Sequence, residues 1–223
     1  MLSAEGLWFR HRRQDPWVLA GVDLHVAPGE VAGLWGASGT GKSTLAALLA
    51  QHRRPERGVV RVDGATKPPR GRPRPVQLVL QHPERAMNPR WRVRDVLREA
   101  RPDGDVLACV PDGPAGSLVE PHWLDRHPHE ISGGELQRVN LARALLTEPA
   151  YVLADEISAS LDSLTQALLW QHLLTQVRER GLGVLAISHD QPLLDRVADR
   201  VVTLDAAAAG SEEPAATSLR EVT

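Results

Sequence analysis

Cysteine is nearly absent. Cys109 is the only one in 223 residues, so no disulfide can form within the chain, which suits a reducing compartment. Lysine is almost as scarce: Lys42 and Lys67 stand alone among 26 basic residues, the rest being arginine. A bias toward arginine carries no mechanism by itself, but it makes a lysine inside a motif harder to attribute to chance. No charge sign dominates. The formal net charge of −2 excludes a global electrostatic pull toward nucleic acid or anionic lipid. There is no run of about 18 apolar residues to cross a bilayer, and the first residues lack the apolar stretch of a secretory signal. If the protein works at a membrane, another chain must supply the membrane part. No internal repeat is visible, and the nine histidines do not cluster at metal-ligand spacing.

What is present is an alternation of apolar runs and amphipathic stretches. Residues 18–26 and 31–35 are apolar runs separated by the turn Pro28-Gly29-Glu30, and residues 42–52 should form a helix with Leu45, Leu48 and Leu49 on one face. Strands are predicted at 58–62 and 76–80, joined by a Pro/Arg-rich connector, 67–75, that can be neither helix nor central strand. Residues 82–130 differ in character. Prolines and glycines surround a helix at 94–100, which predicts a smaller helical subdomain over about 82–145 that includes the Ser132 motif. After residue 130 come a helix at 132–146, a strand at 151–154, a helix at 164–180, a strand at 184–187, a short helix near Leu193 and a strand at 200–204. Strands alternating with helices predict an α/β fold with a mostly parallel sheet between helices. The segment 206–223 is Ala-rich, acidic and aperiodic, and is expected to be a loosely ordered tail of a single domain spanning 1–223.

Gly36-Ala37-Ser38-Gly39-Thr40-Gly41-Lys42-Ser43-Thr44 fits the pattern G-x-x-x-x-G-K-S/T, between an apolar strand and an apolar-faced helix, which is the context the pattern needs. Glycines let backbone N–H groups turn inward around phosphate oxygens, and the helix N-terminus adds partial positive charge. Lys42 would reach the β- and γ-phosphates, and the Ser43 hydroxyl would hold Mg²⁺. The loop implies a nucleotide, but many folds use it.

Tyr151-Val152-Leu153-Ala154-Asp155-Glu156 is a buried-strand run ending in two acids. A parallel strand delivers side chains at its C-terminal edge, so Asp155 would contact Mg²⁺ and Glu156 would polarise an attacking water. Taken alone, the pair reads as an ordinary strand end with solvated acids. Ile131-Ser132-Gly133-Gly134-Glu135 places a serine cap and two glycines at a helix start. In isolation it is a plain helix cap. Beside the first loop it is a second anion site, useful if one chain completes the phosphate site of a partner.

With these motifs in this order, residues 7–204 resemble the ATP-binding cassette transporter ATPases. The resemblance identifies Ser132, Gly133, Gly134 and Glu135 as the signature that meets the partner's ATP. It also matches Gln81 to the lid glutamine linking Mg²⁺ to the membrane partner, Asp162 in Ser160-Leu161-Asp162 to the D-loop, and His189 in Ser188-His189-Asp190 to the switch histidine that senses the γ-phosphate. It implies a P-loop cassette with an N-terminal antiparallel β part, two domains pairing head-to-tail around two ATP molecules, and ATP and Mg²⁺ as cofactors. Ile131 and Glu135 replace the usual leucine and glutamine. The tyrosine that usually stacks on adenine is missing near Arg10 and His11, leaving His11, Phe9 and Trp17 as alternatives.

The lid segment, residues 81–89, and His127-Pro128-His129-Glu130 resemble the peptide and nickel importer group. This implies import of a peptide, nickel or metal-chelate solute. The implied partners are an integral-membrane permease, a second cassette ATPase and, indirectly, an external solute-binding protein, with the chain cytoplasmic and peripheral on the inner membrane face. The absence of a proline-rich extension after the last strand favours the nickel or metallophore type over the peptide branch. A soluble accessory ATPase of a metabolic complex, such as phosphonate breakdown, is the second reading. A chromosome or DNA-repair ATPase is disfavoured because there is neither a coiled-coil insertion nor a basic stripe, so no nucleic-acid partner is expected.

Overall fold

The computed structural model describes residues 1–68, 71–102, 106, 110, 112–113, 116–206 and 219–222. Its centre is a six-stranded sheet in the order β11-β10-β3-β9-β8-β5, comprising β3 (Val31–Trp35), β5 (Val76–Val79), β8 (Tyr151–Asp155), β9 (Gly183–Ile187), β10 (Arg200–Leu204) and β11 (Leu219–Val222). All are parallel except β11, which runs antiparallel to β10 at the edge. β1 (Leu2–Phe9), β2 (Leu19–Val26) and β4 (Arg57–Val62) form a separate antiparallel sheet, and β6 (Asp112–Gly113) and β7 (Gly116–Ser117) form a small hairpin.

The central strands are buried on both faces, and their alternate side chains feed two different cores. Val152, Ala154, Val184, Ala186 and Val201 point into one, filled from the helical side by Val139, Leu169 and Leu194. Tyr151, Leu153, Leu185, Ile187 and Val202 point into the other, where they meet α1 (Lys42–Leu49) and the antiparallel sheet through Leu2, Leu7 and Leu24. The period of two along each strand is what lets a continuous apolar run serve both layers.

The runs at 31–35 and 200–204 are reproduced residue for residue as strands, and the other predicted strands and helices are found with ends shifted by one to three residues. α1 stops at Leu49, short of His52. The helices that follow are α2 (Val93–Ala100), α3 (Gly133–Leu145), α4 (Ser163–Arg180) and α5 (Gln191–Val197). Each of the last three has a side-chain N-cap: Ser132 accepts from the Glu135 N–H, Asp162 from Leu164 and Thr165, and Asp190 from Leu193. In residues 82–145 the described part packs α2 on α3 around Met87, Val96, Leu118 and Trp123.

Two features depart from the sequence reading. β1 was not anticipated as a strand: its pairing with β2 and β4 shifts register around Gly6, so its apolar alternation breaks after Ala4. The tail expected to be loosely ordered across 206–223 ends instead in β11, where Leu219–Val222 pair with Val201–Leu204. Leu219 packs against the second core, an apolar contact that four residues within an acidic, Ala-rich segment do not advertise. Residues 207–218 and 223 of that tail lie outside the described residues, as does Cys109.

Candidate nucleotide site

The C-terminal ends of β3, β5, β8 and β9 converge on a cleft of about 690 Å³, where a parallel sheet presents ligand-binding side chains. It is lined by Ser38, Gly39, Gly41, Lys42, Ser43 and Thr44 from the loop after β3, by Gln81, by Asp155 and Glu156, and by His189, with His11 and Val18 closing one side. The phosphate loop, Asp155, Glu156, Gln81 and His189, all singled out in the sequence, therefore share one cleft.

The loop needs its glycines for different reasons. Gly41 has φ of 101°, and a Cβ there would press on Leu19 Cδ2 and Val18 Cγ1 at 3.0 Å. Gly36 lies beneath the cleft lining, where a Cβ would meet the Leu204 carbonyl oxygen at 2.7 Å. Thr40 is buried and donates to the Ala37 carbonyl at 3.1 Å, closing the turn. The Lys42 ammonium, buried at the helix start, donates to the carbonyls of Gly36 and Ala37 at 2.7 and 2.8 Å, so the cation is held where the loop encircles an anion.

Asp155 is buried, and that burial pushes its pKa up. The Ser43 hydroxyl bonded to it and the nearby Lys42 pull the other way, while the Glu156 charge adds to the rise. Its Oδ1 has no hydrogen-bond partner among the described residues. An orphaned, dehydrated carboxylate oxygen is costly unless something positive meets it. Together with the Ser43 hydroxyl and the Gln81 amide oxygen it makes an all-oxygen donor set of the kind Mg²⁺ takes, so the residues fit that ion.

Glu156 has a left-handed backbone with φ of 50°, uncommon for a residue with a Cβ. Its N–H donates to the Ile187 carbonyl at 3.0 Å, which holds the turn against β9. The side chain then reaches His189, with Glu156 Oε2 and His189 Nδ1 2.9 Å apart. Trp35 at the end of β3 donates its indole N–H to the His189 carbonyl at 3.3 Å, anchoring that residue's backbone while its ring stays 63% exposed. No sequence motif signals the Trp35 contact, or Val18 as a wall of the cleft.

Of the three aromatic alternatives, His11 alone lines the cleft. Its ring meets Phe9 edge-on at 5.4 Å, and its Nδ1 lies 3.0 Å from Arg53 Nη1. Phe9 itself belongs to the core. Trp17 packs edge-on against Trp8 at 5.1 Å beneath the Arg10 guanidinium, 4.3 Å away, and does not line the cleft.

The signature does not enter the chain's own cleft. Ser132 and Glu135 form a reciprocal capping box: the Ser132 N–H donates to Glu135 Oε2 at 2.6 Å and the Glu135 N–H to Ser132 Oγ at 3.2 Å. The bond from the Ser132 N–H, with a smaller contribution from its hydroxyl, draws the Glu135 pKa below the usual carboxylate range. Gly133 lines an adjoining groove of about 170 Å³ that shares Gln81 and Glu156 with the cleft. Asp162 is likewise used within its own chain as the cap of α4, and the N–H groups it accepts, led by Thr165, hold its carboxyl below its ordinary pKa. Among the described residues no helix is long and apolar enough to cross a membrane, and no cluster of three or more His, Cys, Asp or Glu could hold a metal ion.

Comparison with known proteins supplies the family. The ABC transporter family model matches residues 19–159, more than half of the chain. The nickel import ATP-binding protein NikE of Shigella boydii is 35% identical over 209 residues, covering 88% of this chain and 78% of the relative. Its counterpart in Pseudomonas putida is 36% identical over 220 residues, covering 91% and 79%. A solved dimeric bacterial ABC transporter cassette shares the fold with a TM-score of 0.75 at 23% identity, covering 91% of this chain and 94% of that one. The phosphate loop, the paired acids at the end of β8 and these matches lead to one conclusion: the chain belongs to the ABC transporter family, as one of its ATP-hydrolysing subunits.

Proposed function

We propose that this chain powers import of a nickel, metal-chelate or peptide type solute through a separate membrane permease, as a peripheral subunit on the cytoplasmic face. The observation that carries the ATPase part is the convergence of Lys42, Ser43, Gln81, Asp155, Glu156 and His189 on one cleft. The importer part rests on the NikE relatives, whose similarity spans most of the chain. Those relatives are transport subunits, so the accessory metabolic ATPase is not favoured.

In this reading the backbone of 36–44 and Lys42 cradle the ATP phosphates, while Ser43, Gln81 and Asp155 would hold Mg²⁺. The ion supplies charge neutralisation at the transferring phosphoryl group. Glu156 accepts a proton from the attacking water, and its left-handed backbone aims the carboxylate into the cleft. His189, 2.9 Å from that carboxylate, orients it and reaches the γ-phosphate. The base of ATP rests against His11 and Val18. The site is completed by Ser132, Gly133, Gly134 and Glu135 of a second cassette, with Asp162 at the joint, because these residues stand outside their own chain's cleft. Hydrolysis removes the bridging phosphate, the pair opens, and the segment around Gln81 passes the movement to the permease.

The test is a native pull-down of tagged Glu156→Gln protein in mild detergent with ATP and Mg²⁺, with bound chains identified by mass spectrometry. A multi-helix membrane protein with a second cassette is expected. Recovery of soluble metabolic enzymes alone would overturn the transport role and leave the ATPase chemistry standing.

A further inference from the structure

We infer that Gln137 is a positioning residue that ties the lid residue Gln81 to the signature turn, so that nucleotide in a chain's own cleft sets the surface the chain offers to its partner's nucleotide. The inference rests on the nucleotide-site reading above.

Gln137 and Asn140 are buried side-chain amides on α3, 2% and 3% exposed. They are three residues apart and so share one helix face. Both donate to the same acceptor: Gln137 Nε2 to the Leu80 carbonyl at 3.1 Å, and Asn140 Nδ2, more weakly, at 3.5 Å. Leu80 lies just beyond Val79, the last paired residue of β5, and the next residue is Gln81. The rest of this helix face is apolar, with Leu136, Val139 and Leu141 buried. Apolar residues would pack there without dehydrating two amides, whereas a directional hydrogen bond fixes the helix in one register against the strand end.

The groove beside this contact shows what the tie connects. Gln81, Glu156, Gly133, Leu136, Gln137 and Leu161 line one groove, and its first two members also line the nucleotide cleft. Gln137 sits one turn inside the N-terminus of α3, and the capping box fixes Ser132 and Glu135 rigidly to that turn. A displacement of Gln81 toward a ligand in the cleft moves the Leu80 carbonyl, and the bonded helix start follows. The other atom of the Gln137 amide, Oε1, is buried with no hydrogen-bond partner among the described residues. Such an acceptor is costly in one arrangement and free to gain a donor in another, as a two-position element requires.

The experiment is hydrogen–deuterium exchange on the full chain with ATP and Mg²⁺, at a concentration where light scattering shows monomer, following peptides over 36–44 and 131–137. In the wild type both segments gain protection. Gln137→Met keeps the volume and removes the donor. It should leave protection at 36–44 unchanged and reduce the nucleotide-induced protection at 131–137 about fivefold, the worth of one neutral hydrogen bond. A merely structural role would instead raise exchange along α3 before nucleotide is added. Gln81→Ala tests the same tie from the cleft side, away from the helix core, should the Met variant fail to fold, and the response at 131–137 should again be lost. An equal response at 131–137 in the variants, or none in the wild type, overturns the tie. Absence of protection at 36–44 in the wild type overturns the nucleotide site itself, and the tie with it.

Discussion

At the scale of single residues, the chemistry proposed for this cleft rests on two adjacent acids placed in opposite environments. Asp155 is buried with an oxygen that has no partner, whereas Glu156 turns out of the strand on a left-handed backbone toward His189. The raised pKa of Asp155 gives a signed expectation. A carboxyl whose folded pKa lies above its unfolded value of about 3.9 retains its proton when folded, so as pH rises through the folded value its ionisation costs stability. A divalent cation removes that cost, because it binds the ionised form. The thermal stabilisation by ATP with Mg²⁺, relative to ATP with chelator, should therefore grow as pH rises through the folded pKa of Asp155, and Asp155→Asn should abolish the difference. Scanning calorimetry across that range checks this, and a metal increment that persists in Asp155→Asn would move the ion elsewhere. His11→Ala should raise the KM for ATP by roughly 3–10-fold with kcat unchanged, the size of one aromatic contact. Steady-state kinetics would measure it. The loop 36–44 and the acids were legible because phosphate and metal chemistry demand those residue types. His11, Val18 and Trp35 were less legible because almost any apolar or ring-bearing group can fill their place.

At the scale of elements, most strands and helices could be read from period and caps, and one exception, β1, shows why the rest could not. β1 pairs on both sides, yet its alternation is broken where the register shifts at Gly6, and Gly58 on β4 crosses it there. A Cβ at Gly58 would lie 2.2 Å from the Gly6 carbonyl oxygen at a φ of 84°, so two glycines from distant positions share one crossing that neither explains alone. Gly58→Ala should destabilise the protein by about 3 kcal/mol through backbone collision and left-handed strain, measurable by urea unfolding. A loss under about 0.5 kcal/mol, the range of a neutral surface change, would mean the sheet edge yields freely. The capping box at α3 was legible as a cap, but its reciprocal closure by Glu135 needed the structure.

At the scale of the whole molecule, the two cores lock the antiparallel sheet and the helical layer onto opposite faces of one parallel sheet, which fixes the cleft at its C-terminal edge. Ser132, Gly133, Gly134 and Glu135 stay outside that cleft, so on the proposed pairing a lone chain would hold half of each site. Specific ATPase activity should accordingly rise with protein concentration until pairing saturates, and a flat dependence would argue for a self-sufficient monomer. The tail strand was invisible in the sequence because four residues carry too little pattern, yet β11 covers the edge of β10.

The most direct test of the account is phosphate release by wild type and Glu156→Gln alongside equilibrium ATP binding. The account predicts ATP affinity within about twofold of wild type and turnover lower by about 10²–10⁴-fold, the usual worth of a positioned general base. Near-normal hydrolysis by Glu156→Gln would contradict it and assign the proton to another group lining the cleft, His189 first.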